Sequence, residues 1–171
     1  MQNLELKVRC GDLHAAAGIA AEIGAELIWT HWQSDTYFQV PQGKLKLREV
    51  EDQPAELIAY QRRQGAEARI SDYILYQVED PALLKRILAT SLTEELIVSK
   101  QRTLYQWHNV RIHLDQVQGL GTFIEFEAVL KRPKDTEVSQ EQLQFLKTKF
   151  AIRKEELVPV GYYELLKQIS E

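Results

Sequence analysis

The chain has 171 residues, of which 44% are hydrophobic and 27% charged, and a formal net charge of −4. That length is most simply one domain, 1–171, with a sizeable core, and the acidic balance argues against nucleic acid or an anionic membrane as a partner. One cysteine, Cys10, excludes an internal disulfide and a Cys-rich zinc site, and no apolar run is long enough for a signal peptide or membrane span, so the expected setting is cytoplasmic.

Residues 2–10 read as a strand in which Asn3, Glu5, Lys7 and Arg9 alternate with Leu4, Leu6 and Val8. Alternate side chains share a face, so one face is charged and the other apolar. Asp12 is placed to cap a helix whose Leu13, Ala16, Ala17, Ala20, Ile23 and Leu27 recur at helical spacing. Residues 28–40 form a second strand region, and the Pro41-Gln42-Gly43 turn folds 35–40 against 44–50 as a hairpin. Strands at 57–63 and 71–78 follow, joined by a polar loop containing Gly65. Asp80-Pro81 opens a short helix that buries Leu83, Leu84, Ile87 and Leu88. Three more strands lie near 95–106, 109–116 and 121–130, and Pro133 ends the run. Ser139 and Gln142 have capping-box spacing for a helix reaching residue 149, and a last helix covers 161–170.

The pattern is α+β, with eight antiparallel strands interrupted by helices. An open sheet of this kind would leave its charged face wet and two edges unpaired, whereas closure removes the edges and turns that face into a lumen. The expectation is a closed or nearly closed eight-stranded antiparallel β-barrel, a polar tunnel with helices packed outside.

Parity places Lys44, Lys46, Arg48, Arg62, Lys100, Arg102, Arg111, His113, Asp115, Glu125 and Glu127 on the charged face with the first strand's polar residues. Two glutamates at i and i+2 can share one hard divalent cation, Mg²⁺ or Mn²⁺, and Lys and Arg suit phosphate oxygens. A few carboxylates beside many cations therefore describe a metal–polyphosphate site. A wet outer face is the alternative for any single strand, but five or six strands with cations at one parity argue against it. A groove for single-stranded nucleic acid would want aromatic platforms, and Tyr60 is the one aromatic assigned to the charged parity. Trp29, Trp32, Tyr37, Phe38 and Trp107 read as core or rim packing.

Asn3-Leu4-Glu5-Leu6-Lys7 resembles the Glu-x-Glu-x-Lys signature of the CYTH superfamily, the triphosphate tunnel metalloenzymes. The resemblance continues through Asp35-Thr36-Tyr37-Phe38, Leu45-Lys46-Leu47-Arg48 and Lys100-Gln101-Arg102. The stretch from Asp115 to Glu127 and the tail around Tyr162-Tyr163-Glu164 are similar to the class IV adenylate cyclase branch. The resemblance implies Mg²⁺- or Mn²⁺-dependent chemistry on a small-molecule triphosphate. It implies Glu5, Glu125 and Glu127 as metal ligands, and Lys7, Arg9, Lys46, Arg48, Arg62, Lys100, Arg102 and Arg111 as triphosphate contacts. Glu5, Lys7, Arg111 and Asp115 are the implied catalytic set. Asn3 departs from the signature, standing where its first Glu would be. The leading expectation is conversion of ATP to cyclic AMP and pyrophosphate. The alternatives are an inorganic or thiamine triphosphatase, which needs the same clamp, and a non-catalytic polyphosphate or nucleotide binder. Related cyclases point to a homodimer.

Overall fold

The computed structural model describes residues 1–63, 68–131 and 135–170. The expected Gly65 loop and the Pro133 stop lie outside the described residues. Eight strands close into an antiparallel barrel: β1 (Gln2–Arg9), β2 (Glu26–Phe38), β3 (Lys44–Val50), β4 (Ala55–Arg63), β5 (Arg69–Val78), β6 (Glu94–Trp107), β7 (Val110–Val117) and β8 (Gly121–Leu130). Their order around the barrel is β1-β5-β4-β3-β2-β6-β7-β8, with β1 pairing β8 to close it. The helices are α1 (Leu13–Glu22), α2 (Pro81–Ala89), α3 (Asp135–Lys149) and α4 (Tyr162–Ser170), with a 3-10 turn at Lys154–Glu156. Among the described residues no helix is long and apolar enough to cross a membrane.

The apolar parity points outward, as expected, and the helices cover much of it. Leu4, Leu6 and Val8 of β1 join Ile112, Leu114, Ile124 and Phe126 in one core, against Ala16 and Ala20 of α1 and Leu143 and Leu146 of α3. Phe38 and Leu47 form a smaller core with Leu84 and Leu88 of α2. Asp12 and Asp80 cap α1 and α2 through Ala15 N–H and Leu83 N–H.

Two helix boundaries differ from the expectation. α1 ends at Glu22 and Leu27 belongs to β2, because Gly24 takes φ of +75° and Ala25 N–H turns back to Ala20 O at 2.9 Å. α3 begins at Asp135, four residues before Ser139. Ser139 is instead fully buried in the helix and accepts a hydrogen bond from Asn109 Nδ2.

Among the described residues the β1–β5 seam spans Gln2–Glu5 on β1, and no strand is described beside the rest of β1 on that side. Against it runs the chain's own later segment. Val8 bridges Leu157, and Val158 N–H donates to Lys7 O at 2.8 Å. Arg69 Nη1 donates to Pro159 O, fastening the same segment to β5. This strap delivers α4 to that end of the barrel, where Tyr162 and Tyr163 are buried with Tyr37, Tyr60, Val98, Val117, Phe123 and Val158.

Candidate active site

Inside the barrel lies a cavity of about 310 Å³. Among the described residues seven Lys and Arg side chains line it: Lys7, Lys46, Arg48, Arg62, Lys100, Arg102 and Arg111. Five carboxylates, those of Glu5, Asp35, Glu56, Glu125 and Glu127, face them. The strand parity that made these residues share a face thus makes them share a lumen.

The cations are held by carboxylates. Asp35 of β2 is the centre of one cluster: Arg48 Nε donates to its Oδ1 at 2.9 Å, and Lys46 and Lys100 approach Oδ2 at 3.0 and 3.3 Å. Burial alone would raise the Asp35 carboxyl, but Arg48, Lys100 and Lys46 outweigh it and hold it well below the usual range. One carboxylate cannot neutralise three cations. Burial, with Arg48 and Lys100 adding repulsion, accordingly brings Lys46 down to about 7, and burial also lowers Lys100.

The second cluster spans β6, β7 and β8. Arg102 donates to both oxygens of Asp115 at 2.6 Å, and to Glu125 at 2.9 Å. Glu125 also receives Lys7 at 3.2 Å and His113 at 3.5 Å. These partners overcome the effect of burial and keep Glu125 ionised far below its ordinary range. His113 is lowered, first by burial and then by Arg102, so it stands neutral between the two glutamates at pH 7.

On the wall between β1 and β8, Glu5 is registered opposite Glu127, and Lys7 opposite Glu125. Burial raises Glu5, and Glu125 and Glu127 push it the same way despite Arg62 at 3.4 Å. Asn3 Nδ2 donates to Glu127 Oε1, and Arg111 reaches the same oxygen at 3.3 Å. Among the described residues Asn3 Oδ1 is buried without a hydrogen-bond partner, and Glu5 Oε2 has the Arg62 ion pair but no hydrogen bond. Among the described residues, no three His, Cys, Asp or Glu side chains are set to hold a metal as they stand, because the carboxylates are turned onto cations.

Two of the expected site residues lie elsewhere. Arg9 does not line the cavity: it is exposed beyond the end of the lumen, its guanidinium 5.1 Å from the Phe123 ring centroid. Asp115 is fully buried, does not line the cavity, and holds Arg102 through both of its carboxylate oxygens.

Asp35, Tyr37 and Tyr162 also reach this site, although none is among the expected site residues. Asp35 and Tyr37 share the inward parity of β2 with Gln33, a period-two signal blurred by aromatics on both faces of the strand. Tyr37 packs in the core against Tyr163, as expected, and also lines the cavity, where its hydroxyl meets that of Tyr60 at 3.3 Å. Tyr162 comes from a helix, and no strand periodicity could place it in the lumen. Its hydroxyl donates to Asp115 Oδ2 at 2.7 Å, and its ring lies 3.9 Å from Lys7 Nζ and 5.2 Å from Lys100 Nζ.

Residues 1–162 match the CYTH domain. Solved structures with the same architecture include the PH1012 protein of Pyrococcus horikoshii OT3, with a TM-score of 0.83 at 20% identity over 95% of this chain and 98% of that one. A candidate adenylate cyclase from Vibrio parahaemolyticus has a TM-score of 0.82 at 21% identity, over 96% and 97% of the two chains. A candidate adenylyl cyclase from Hippeastrum, described as having a dominant triphosphatase activity, has a TM-score of 0.68 at 15% identity, over 98% and 96%. At these identities the likeness speaks for the fold. No curated protein sequence matches the chain.

Proposed function

The chain belongs to the CYTH family, and from that premise we propose that it is a divalent-metal-dependent enzyme that converts ATP to cyclic AMP and pyrophosphate. The observation carrying this reading is that seven cations from β1, β3, β4, β6 and β7 converge on one buried cavity beside a carboxylate wall. Family membership implies a divalent metal. The donor set fits a hard cation: Glu5, Glu125 and Glu127 offer oxygen ligands from neighbouring strands, and among the described residues the buried Asn3 Oδ1 lacks the hydrogen bond that burial normally demands. Glu5, Glu125 and Glu127 would hold the ion, and Asn3 would offer a neutral oxygen where the family signature has Glu. Bound there, the metal supplies Lewis-acid charge neutralisation of phosphate oxygens.

The protein's own groups do the rest. Lys7, Lys46, Lys100 and Arg62 bind phosphate oxygens in the deeper cavity, and Arg48, Arg102 and Arg111 bind those nearer its mouth. Binding exchanges the internal carboxylate partners of these cations for phosphate. In the reaction the ribose 3′-hydroxyl gives its proton to solvent water as its oxygen bonds to the α-phosphorus, the bond from the α-phosphorus to the α–β bridging oxygen breaks, and pyrophosphate leaves with that electron pair. Such a transfer needs positioning and charge neutralisation more than covalent chemistry. Purified protein incubated with ATP and Mg²⁺ or Mn²⁺ should yield cyclic AMP and pyrophosphate in equal amounts. Orthophosphate from ATP, tripolyphosphate or thiamine triphosphate would assign hydrolysis, and binding without turnover would assign a sensor.

A further inference from the structure

Gly161 stands directly before α4 and is buried, with its carbonyl accepting Leu165 N–H at 3.2 Å. Its backbone gives no reason for glycine: Gly24, Gly43, Gly119 and Gly121 have positive φ, and Gly161 does not. The reason lies in the space over its Cα. A Cβ there would stand 2.5 Å from Arg62 Nη1 and 2.6 Å from Glu164 Oε2. Glu164 is anchored, since its Oε2 accepts the Gly161 N–H at 3.0 Å and its Oε1 is 3.6 Å from Lys44 Nζ. Arg62 is held less firmly, and it is the group that a methyl would displace.

Arg62 projects from β4 into the cavity. Its Nε lies 3.4 Å from Glu5 Oε2 and is buried without a hydrogen bond among the described residues. Its Cζ is 5.0 Å from the Tyr60 ring centroid, and Nη1 fills the hollow over Gly161. The five donors of a guanidinium form one rigid planar fork, so whatever seats Nη1 also aims the others. Gly161 itself does not line the cavity. We propose that Gly161 is a positioning residue: by lacking a side chain it seats the Arg62 fork against the start of α4 and so aims it at phosphate in the cavity. The functional half of this inference rests on the triphosphate reading above, whereas the seat is a property of the folded chain alone. The inference also couples two positions far apart in sequence. Arg62→Lys has a single flexible ammonium and no nitrogen arm to place over Gly161, so that variant should tolerate a side chain there.

The test uses the full chain carrying Gly161→Ala, Arg62→Lys or both, titrated with tripolyphosphate by calorimetry. Gly161→Ala should weaken binding about tenfold, the lower end of what one charge-assisted hydrogen bond contributes. Added to Arg62→Lys, the same change should lower affinity by less than about twofold, and this non-additivity separates positioning from a general effect on α4. A ligand-free readout is the Arg62 Nε–Hε resonance in NMR, identified by its absence from Arg62→Lys. It should move in Gly161→Ala, because displacing the fork changes its distance from Glu5 and from the Tyr60 ring. Equal tripolyphosphate affinity in Gly161→Ala and wild type would overturn the proposal. So would an undiminished loss in the Arg62→Lys background, an unmoved resonance, or a folding defect in Gly161→Ala that Arg62→Lys does not relieve. Wild-type protein that fails to bind tripolyphosphate, with the resonance still moved by Gly161→Ala, would remove the triphosphate clamp and leave the seat standing.

Discussion

Glu125 and Glu127 sit two residues apart on one strand face yet carry different loads. Glu125 is the shared partner of Lys7, Arg102 and His113, all buried. Glu125→Gln should therefore cost the folded protein about 3–5 kcal/mol, the penalty for leaving buried charge unpaired, in addition to any loss of activity. Glu127 faces Arg111, whose side chain is 44% exposed, so Glu127→Gln should cost only about 1 kcal/mol. Denaturant unfolding of both variants, with activity measured across a Mn²⁺ titration, checks the contrast. Full metal-dependent activity in Glu127→Gln would remove that residue from the metal assignment. Lys46 supplies a pH prediction. Its ammonium is held down to about 7 in the empty cavity by burial and by Arg48 and Lys100. A bound polyanion favours the charged form, so binding should take up a proton between pH 7 and the ordinary lysine range, and affinity should fall as pH rises through that window. Calorimetry in buffers of different ionisation enthalpy reads this directly, and no buffer dependence at pH 8 would contradict it. Lys46→Arg, permanently charged, should flatten the dependence.

Strands whose faces differ strongly in polarity were legible in sequence because period-two alternation maps directly onto lumen and exterior. β1, β3, β7 and β8 show this, and their inward Lys, Arg and Glu, except Arg9 and Lys44, line the cavity. The alternation in β2 was obscured by aromatics on both faces, which hid Asp35 and Tyr37. The strap at Val158 and the inward seat of Tyr162 were not legible at all, because they depend on long-range contacts of the C-terminal segment with β1 and β7 that exist only once the barrel has closed. Tyr162 matters to α4 as an element: its hydroxyl bond to Asp115 and its packing on Phe123 anchor the helix start. Tyr162→Phe keeps the ring but removes a hydrogen bond to a charged acceptor, so it should cost about 1.5–3 kcal/mol. Arg102 still holds both Asp115 oxygens, so the barrel should persist. Thermal unfolding that is unchanged in this variant would show that α4 is not anchored through the hydroxyl.

At the scale of the whole molecule, a chain of net charge −4 lines its interior with seven cations and five carboxylates, a local excess of positive charge enclosed in an acidic protein. Burying so many charges is not a source of stability, since desolvation offsets much of what each pair gains. The carboxylates keep the empty barrel folded, and an incoming polyanion can replace them where cations outnumber them, around Asp35 most of all. Affinity should then depend steeply on anion length. Each charge-assisted hydrogen bond is worth about 1.5–3 kcal/mol, and tripolyphosphate reaches cations from several strands where monophosphate reaches one cluster. Tripolyphosphate should therefore bind more tightly than monophosphate by several kcal/mol. Because ligand binds the folded state alone, tripolyphosphate at 100 times its dissociation constant should stabilise the barrel by about 2.7 kcal/mol. Calorimetry gives the affinities and thermal unfolding with either anion gives the stabilisation. The cavity is shielded from solvent ions, so the length preference should survive 0.5 M NaCl, whereas contacts made on the outer surface would be screened away. Equal affinity for the two anions, or a preference that salt abolishes, would mean that the cations inside the barrel serve only to pair its carboxylates.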